Sequence, residues 1–214
     1  MEPRGQIETM SALGITRFGV AGHDRGARCA YRMAIDSPDW VDRLAVLDIV
    51  PTSDAFDRAD MRFSLGFWVW SFMAAPTPIP ETLIARAPDV FVDHLLDRWS
   101  GPGFQVPIDA RNDYIAQFSD PRRVHAICEQ YRAAATIDVL ADRRDKERMP
   151  ISCPTLVLWS GSGPLAEWYE PLAIWQEWAA SVKGRSMDSG HFIAEELPTE
   201  TVDELIRFFT PMTR

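Results

Sequence analysis

Asp24 stands between two glycines in Gly22-His23-Asp24-Arg25-Gly26, where an apolar stretch gives way to a helix-like one. Glycines at a strand-to-helix junction permit a strained turn that lifts one side chain clear of the backbone, as a nucleophile requires. A carboxylate ionised at neutral pH needs no base in order to attack, so Asp24 suits displacement at a saturated carbon. The product of such an attack is an ester of the side chain, which water must then cleave. The competing reading is that Asp24 only caps the helix that follows. Two further residues complete a set of nucleophile, base and orienting acid. They are His191 in Ser189-Gly190-His191-Phe192 and Asp48 in Leu47-Asp48-Ile49. Singly, a late histidine reads as a surface residue and an aspartate ending a strand as a turn former. Arg25 and Arg28 lie three residues apart at a helix start, hence on one face. Guanidinium forks match a carboxylate at two points, and a helix N-terminus adds positive potential. The bland alternative is a pair of surface arginines.

Placing these residues together calls for a parallel sheet. Residues 15–21 (ITRFGVA) and 44–50 (LAVLDIV) read as short buried strands, with helices over 7–13 and 25–37. Helix, strand, helix, strand is the alternation of parallel strands joined by helical crossovers. From residue 52 to 149 no strand pattern occurs. Helices are expected over 60–75, 81–85, 89–98, 109–118 and 122–144, around an aromatic set that includes Phe63, Phe67, Trp68, Trp70 and Phe72. A strand pattern returns at 155–159, followed by a loop at 160–164, a helix near 171–180, a short strand at 185–187 and a helix at 199–209. The chain therefore divides into a first core part (1–51), a helical cap (52–149) and a second core part (150–214).

Composition narrows the function classes. The 214 residues are 46% hydrophobic and 25% charged, a globular balance, with a net charge of −9. An acidic chain lacks the basic footprint of a nucleic-acid binder. No apolar run approaches the ~20 residues of a membrane helix, and the opening MEPRGQIETM has no apolar centre of a signal peptide. Three cysteines without metal spacing read as reduced thiols. The expectation is a cytoplasmic enzyme acting on a small molecule, with no nucleic-acid or membrane partner and no metal or organic cofactor.

The chain resembles the α/β-hydrolase superfamily, and within it the fluoroacetate (haloacetate) dehalogenases. The resemblance rests on Gly22-His-Asp-Arg-Gly-Ala-Arg28, Leu44-Ala-Val-Leu-Asp-Ile-Val-Pro-Thr52, Tyr131-Arg132 with Thr136-Ile-Asp138, Cys153-Pro-Thr-Leu-Val157 and Ser189-Gly-His-Phe192. Related enzymes with an aspartate elbow usually place Trp after it; Arg25 and Arg28 point instead to the haloacid branch. The resemblance implies Asp24 as nucleophile, His191 as the base that activates water, and Asp48 as the residue orienting it. Arg25 and Arg28 would hold the substrate carboxylate, while Trp70 and Tyr131 would donate to the departing halide. The family carries a His before that Trp, and Val69 stands in its place. Valine donates no hydrogen bond, and the loss of a donor to a charged group costs ~1.5–3 kcal/mol. Defluorination should suffer more than dechlorination.

The resemblance also implies strands and a His-Gly oxyanion loop ahead of the elbow. Here the elbow begins at residue 22 and no H-G-x-P segment occurs. The sheet is therefore expected to be N-terminally incomplete, in a fragment or a chain begun at an internal Met, with the strand at 15–21 as an exposed edge. The leading function is hydrolytic dehalogenation of a short 2-haloacid through an aspartyl ester. One alternative is an epoxide or ester hydrolase of the same fold, with Tyr114 and Tyr131 activating an epoxide oxygen. The other is a catalytically incompetent fragment that pairs with itself, as a homodimer, or with a partner.

Overall fold

A computed structural model describes residues 4–148 and 151–210. Helix α1 (Arg4–Ala12) leads into strand β1 (Phe18–His23), then helix α2 (Arg25–Asp36) and strand β2 (Val41–Leu47). Both strands are displaced by about a turn's length from the apolar runs that announce them. Residues 15–17 belong to the turn leaving α1, where Gly14 takes a left-handed φ of 74° and Ile15 N donates to Met10 O. β2 starts early because Phe18 pairs with Val41. Each strand stops where the next residue takes a left-handed φ: Asp24 at 45° and Asp48 at 53°.

Between β2 and β3 every regular element is helical among the described residues. They are α3 (Thr52–Asp57), α4 (Met61–Gly66), α5 (Trp68–Met73), α6 (Ile79–Ile84), α7 (Pro88–Trp99), α8 (Ile108–Phe118), α9 (Pro121–Ala133), a π-helical turn (Ala134–Asp138) and α10 (Val139–Lys146). The helix expected over 60–75 is broken at Phe67. Asp60 caps α4 by accepting from Arg62 N and Phe63 N, and Gly66 abuts the Trp168 ring so closely that a Cβ would fall 2.0 Å from it. The helix expected over 122–144 is present but interrupted by the π turn, where Thr136 Oγ1 donates to Arg132 O. The expected end of this segment at Met149 lies outside the described residues.

The chain closes with β3 (Thr155–Ser160), α11 (Pro164–Trp168), α12 (Pro171–Gln176), β4 (Val182–Met187), α13 (Ile193–Glu196) and α14 (Pro198–Phe209). α11 and α13 fall where the sequence pattern suggested only loop. The four strands are parallel, in the order β1-β2-β3-β4, so β1 is an edge as expected. Alternate residues serve opposite faces, as the two-residue strand period requires. Leu44, Val46 and Val157 pack with α2 and with Trp175 and Trp178. Ala45, Leu47, Leu156 and Leu158 pack against Ile193 and Phe208. The inserted helices form a separate aromatic cluster around Phe63, Trp70 and Tyr131, continuous with Val50, Leu165 and Tyr169 beyond the strand ends. In a parallel sheet the carboxyl ends of the strands are where ligands bind. Here Asp24 and Asp48 directly follow β1 and β2, Ser160 ends β3, and the loop after β4 carries His191.

Candidate active site

Asp24 does not cap α2: its side chain accepts no hydrogen bond from the helix's first turn. Its backbone is held in the strained turn by Asp24 N donating to Leu47 O and by Arg28 N donating to Asp24 O. The turn needs Gly22, because a Cβ there would meet the Gly26 backbone at 2.4 Å. The carboxylate is left facing the cavity beneath the inserted helices.

His191 lies between two carboxylates. Its Nδ1 is 2.7 Å from Asp48 Oδ2, and its Nε2 is 3.7 Å from Asp24 Oδ2, an ion-pair contact longer than a hydrogen bond. The other oxygen of Asp48 accepts from Ser160 N at 2.8 Å, which fixes the acid to the end of the neighbouring strand. Among the described residues, Asp24 and Asp48 are the only non-glycine residues with left-handed φ. Backbone strain of this kind persists where surrounding structure enforces it, and it gathers at functional sites. Glu167, the carboxylate in the loop after β3, lines a different cleft with Arg98 and Trp168.

The charges are coupled. Burial opposes the cationic form of His191, but its contacts with Asp24 and Asp48 outweigh burial and raise its pKa to about 10. Burial likewise opposes ionisation of Asp24, yet His191 and then Arg28 hold its carboxyl below the usual range. The resting site is thus an imidazolium between two carboxylates. Removal of either charge would return the imidazole towards neutrality.

Several supporting groups escaped sequence reasoning. His23 Nε2 lies 2.7 Å from His191 O, and because a carbonyl only accepts, Nε2 carries the proton. Burial and then the His191 charge lower the pKa of His23 and keep it neutral. Glu196 joins two loops: Oε2 accepts from Gly190 N at 2.7 Å and Gly101 N at 3.0 Å, and Oε1 from Phe192 N at 3.1 Å. His191 N donates to Trp99 O at 2.7 Å. The only signal was an ordinary one, a histidine beside the elbow; nothing marked Glu196, whose short helix was not expected. Glu196→Ala should displace His191 and lower turnover by ~10²-fold, the usual cost of a shift of ~1 Å. Steady-state rates combined with a thermal midpoint check this, since a loss of activity without loss of fold is the expected result.

Both arginines point toward Asp24, but into different spaces. Arg28 is buried, stacks 4.5 Å over the Trp70 ring, and donates from Nη1 to Val50 O and Thr52 Oγ1. Its Nε is buried without a hydrogen-bond partner. Behind it, Thr52 Oγ1 meets the Tyr31 hydroxyl, which donates to Asp142 at 2.7 Å. Asp24, Arg28, Trp70, Tyr131, Asp48 and His191 line one cavity of about 40 Å³, counted as space open to the centre of a water molecule. A single water needs roughly 10–15 Å³ on that measure, so the cavity suits a substrate of few heavy atoms. Arg25 stacks 4.6 Å over the Tyr131 ring and opens into a second cavity on the other side. The expectation that the two arginines share one face of α2 holds, but Tyr131 stands between their cavities.

Trp70 Nε1 and the Tyr131 hydroxyl make no hydrogen bond to protein among the described residues, so both are available as donors in the first cavity. Burial and the Asp24 charge raise the Tyr131 pKa and keep the phenol protonated. Val69 is fully buried in the aromatic cluster and does not line the cavity. Tyr114 lines the second cavity. It shares that cavity with Tyr131 and Asp24, as the epoxide alternative required, but its hydroxyl is engaged by Glu195.

Residues 5–198 match the α/β hydrolase fold family. The chain belongs to that family. This α/β hydrolase is 36% identical over 206 residues to a fluoroacetate dehalogenase from Burkholderia sp, a match spanning 96% of this chain and 67% of that protein. It is 29% identical over 212 residues to a soluble epoxide hydrolase from Corynebacterium sp. (strain C12), spanning 96% and 71%. The solved structure of ALR0039 from Nostoc sp PCC 7120 superposes with a TM-score of 0.93 at 43% identity, covering 97% of this chain and 71% of that one. In the α/β hydrolase described here, no helix among the described residues is long and apolar enough to cross a membrane.

Proposed function

We propose that this α/β hydrolase is a dehalogenase of 2-haloacids, with Asp24, His191 and Asp48 as its catalytic residues. The observation that carries the reading is Arg28: a buried guanidinium, bonded through Nη1 to two neutral oxygens, in the same small cavity as the strained Asp24. A buried cation calls for an anionic partner. Arg28 helps to keep Asp24 ionised but does not bond it, and its Nε is left for a substrate carboxylate. The substrate carboxylate binds Arg28, with Arg25 adding positive potential beyond Tyr131. Asp24 Oδ bonds to C2 as the halogen leaves with the bonding pair. Trp70 Nε1 and the Tyr131 hydroxyl donate to the emerging halide, so the inserted helices over 52–149 act as a cap that completes the site.

Ester formation also prepares the next step. Once Asp24 is esterified its charge is gone, and one of the two carboxylates that held His191 as a cation has been removed. His191 then loses its proton and becomes the base that activates water. Asp48 keeps the ring oriented. Water adds to the Asp24 carbonyl carbon, the ester bond breaks, and a 2-hydroxy acid leaves.

Chloroacetate or bromoacetate should release halide and glycolate with saturation kinetics. Fluoroacetate should be slower by at least ~10-fold, because fluoride is the poorest leaving halide and only Trp70 and Tyr131 offer it donors in the cavity. Val69, expected to mark a lost donor, faces the aromatic cluster instead. Turnover of neutral epoxides without turnover of haloacids would overturn the assignment. That second reading is favoured by the unpaired Tyr131 hydroxyl beside Asp24 and by the likeness to the Corynebacterium epoxide hydrolase.

A further inference from the structure

Asp24 borders two cavities rather than one. Asp24, Trp99 and Tyr131 line both the small polar cavity and a second one of about 230 Å³, again counted as space open to a water centre. The second is several times larger and its wall is apolar, formed largely by Met73, Val92, Leu96, Phe118 and Ile127. Most of its polar members are engaged, although Arg25 Nη1 is buried without a hydrogen-bond partner. Arg25 sits beside Asp24 and its Nε donates to Gln130 Oε1 at 3.3 Å, while the Tyr114 hydroxyl is bonded to Glu195.

The carbon attacked by Asp24 is tetrahedral and carries four substituents. Carboxylate and halogen are drawn to Arg28 and to the Trp70–Tyr131 donors, and these fill the small cavity. A hydrogen needs no room. A fourth substituent larger than hydrogen needs further space, and the second cavity offers it because it shares Asp24, Trp99 and Tyr131 with the first. We propose that the apolar cavity is a side-chain pocket, and that the preferred substrates are 2-haloalkanoic acids with an unbranched chain of several carbons rather than haloacetate. This rests on the dehalogenase reading and specifies the substrate class.

The chemistry balances as before. Asp24 Oδ bonds to C2 with inversion, and halide leaves with the electron pair. Water attacks the Asp24 carbonyl carbon and its proton passes to His191. The ester bond breaks at the carbonyl as the remaining proton of the added water passes to the leaving oxygen, which returns Asp24 as a carboxylate. The inverted C2–O bond therefore survives in the 2-hydroxyalkanoate.

The experiment compares chloroacetate with 2-chlorohexanoate as substrates, and acetate with hexanoate as calorimetric ligands, in the wild type and in Ile127→Trp. Ile127 is half-exposed on α9, so the larger ring fills the pocket without overpacking a core. Val92→Phe provides a second way of filling it. Burying each methylene favours the longer acid by about fourfold. The wild type should therefore prefer 2-chlorohexanoate in kcat/KM, and hexanoate in binding, by at least ~10-fold. Ile127→Trp should remove most of that ratio. Turnover of chloroacetate with no advantage for 2-chlorohexanoate would overturn the pocket and leave the dehalogenase reading standing. If neither haloacid reacts, the dehalogenase reading fails, and hexanoate binding decides the pocket. Tighter binding than acetate that is lost in Ile127→Trp supports it; equal binding of the two acids overturns it.

Discussion

Asp24→Asn should abolish haloacid turnover, by ~10⁴-fold or more, as removal of a covalent nucleophile does. Asparagine has the shape of the aspartate that already takes φ 45° and ψ −115° here, so the elbow should survive the change. The same substitution should alter a property that has nothing to do with substrate. His191 is a cation to about pH 10 because Asp24 and Asp48 flank it. Without the Asp24 charge its pKa should fall back towards the ordinary 6.5, a shift visible in the titration of its ring protons by NMR. Stability follows the same linkage. A histidine raised from 6.5 to about 10 contributes stability that is complete below 6.5 and lost as pH rises through about 10. An aspartate held below its usual 3.8 contributes stability present above 3.8 and lost as pH falls through its lower folded value. The pair therefore stabilises most fully between about 3.8 and 6.5, and the wild type should lose thermal midpoint steadily from 6.5 to 10. Asp24→Asn should flatten that decline. A variant that retained both turnover and the wild-type pH profile would remove Asp24 from the centre of the site.

The outline of the site was legible because catalytic geometry here is written into turns, and turns have sequence signatures. Gly22 and Gly26 mark a place where the chain passes too close to itself for a Cβ, and Asp24 lies between them. Asp48 was legible as the residue ending an apolar run, and the late loop His191 joins it at 2.7 Å. The helical character of the segment from 52 onwards followed from the missing two-residue alternation. Strand limits were less legible. Apolar content does not say which residue breaks the ladder, and the backbone of Asp24 and Asp48 does that. Contacts between remote segments were not legible at all. Nothing near Glu196 indicates that its carboxylate bridges Gly190 and Gly101, and nothing near Gly66 indicates that Trp168 will press against it. Helical spacing placed Arg25 and Arg28 on one face correctly, but that face looks onto two cavities because Tyr131, more than a hundred residues on, stands between them.

His191→Asn should separate the two halves of the reaction. Displacement at C2 needs an ionised Asp24 and donors for the halide, and neither requires a base at position 191. Arg28 remains to favour the Asp24 carboxylate when the His191 charge is gone. Ester cleavage is different: water attacks a carbonyl only slowly without a group to accept its proton, and general base catalysis is worth ~10²–10⁴-fold. The variant should therefore release one equivalent of halide per site and then stall. The protein should carry one added carboxymethyl group after chloroacetate, placed on Asp24 by peptide mass spectrometry. Asparagine keeps a hydrogen-bonding side chain near Asp48, whose other oxygen remains fixed by Ser160 N, so the strand ends need not rearrange. Asp48→Asn should slow the same step without blocking it, because the imidazole is still present but less well oriented. Sustained multiple turnover by His191→Asn would show that another group activates the water. Absence of both halide release and the adduct, in a variant that remains folded, would show that His191 is needed for displacement itself, and that its charge beside Asp24 serves attack rather than cleavage.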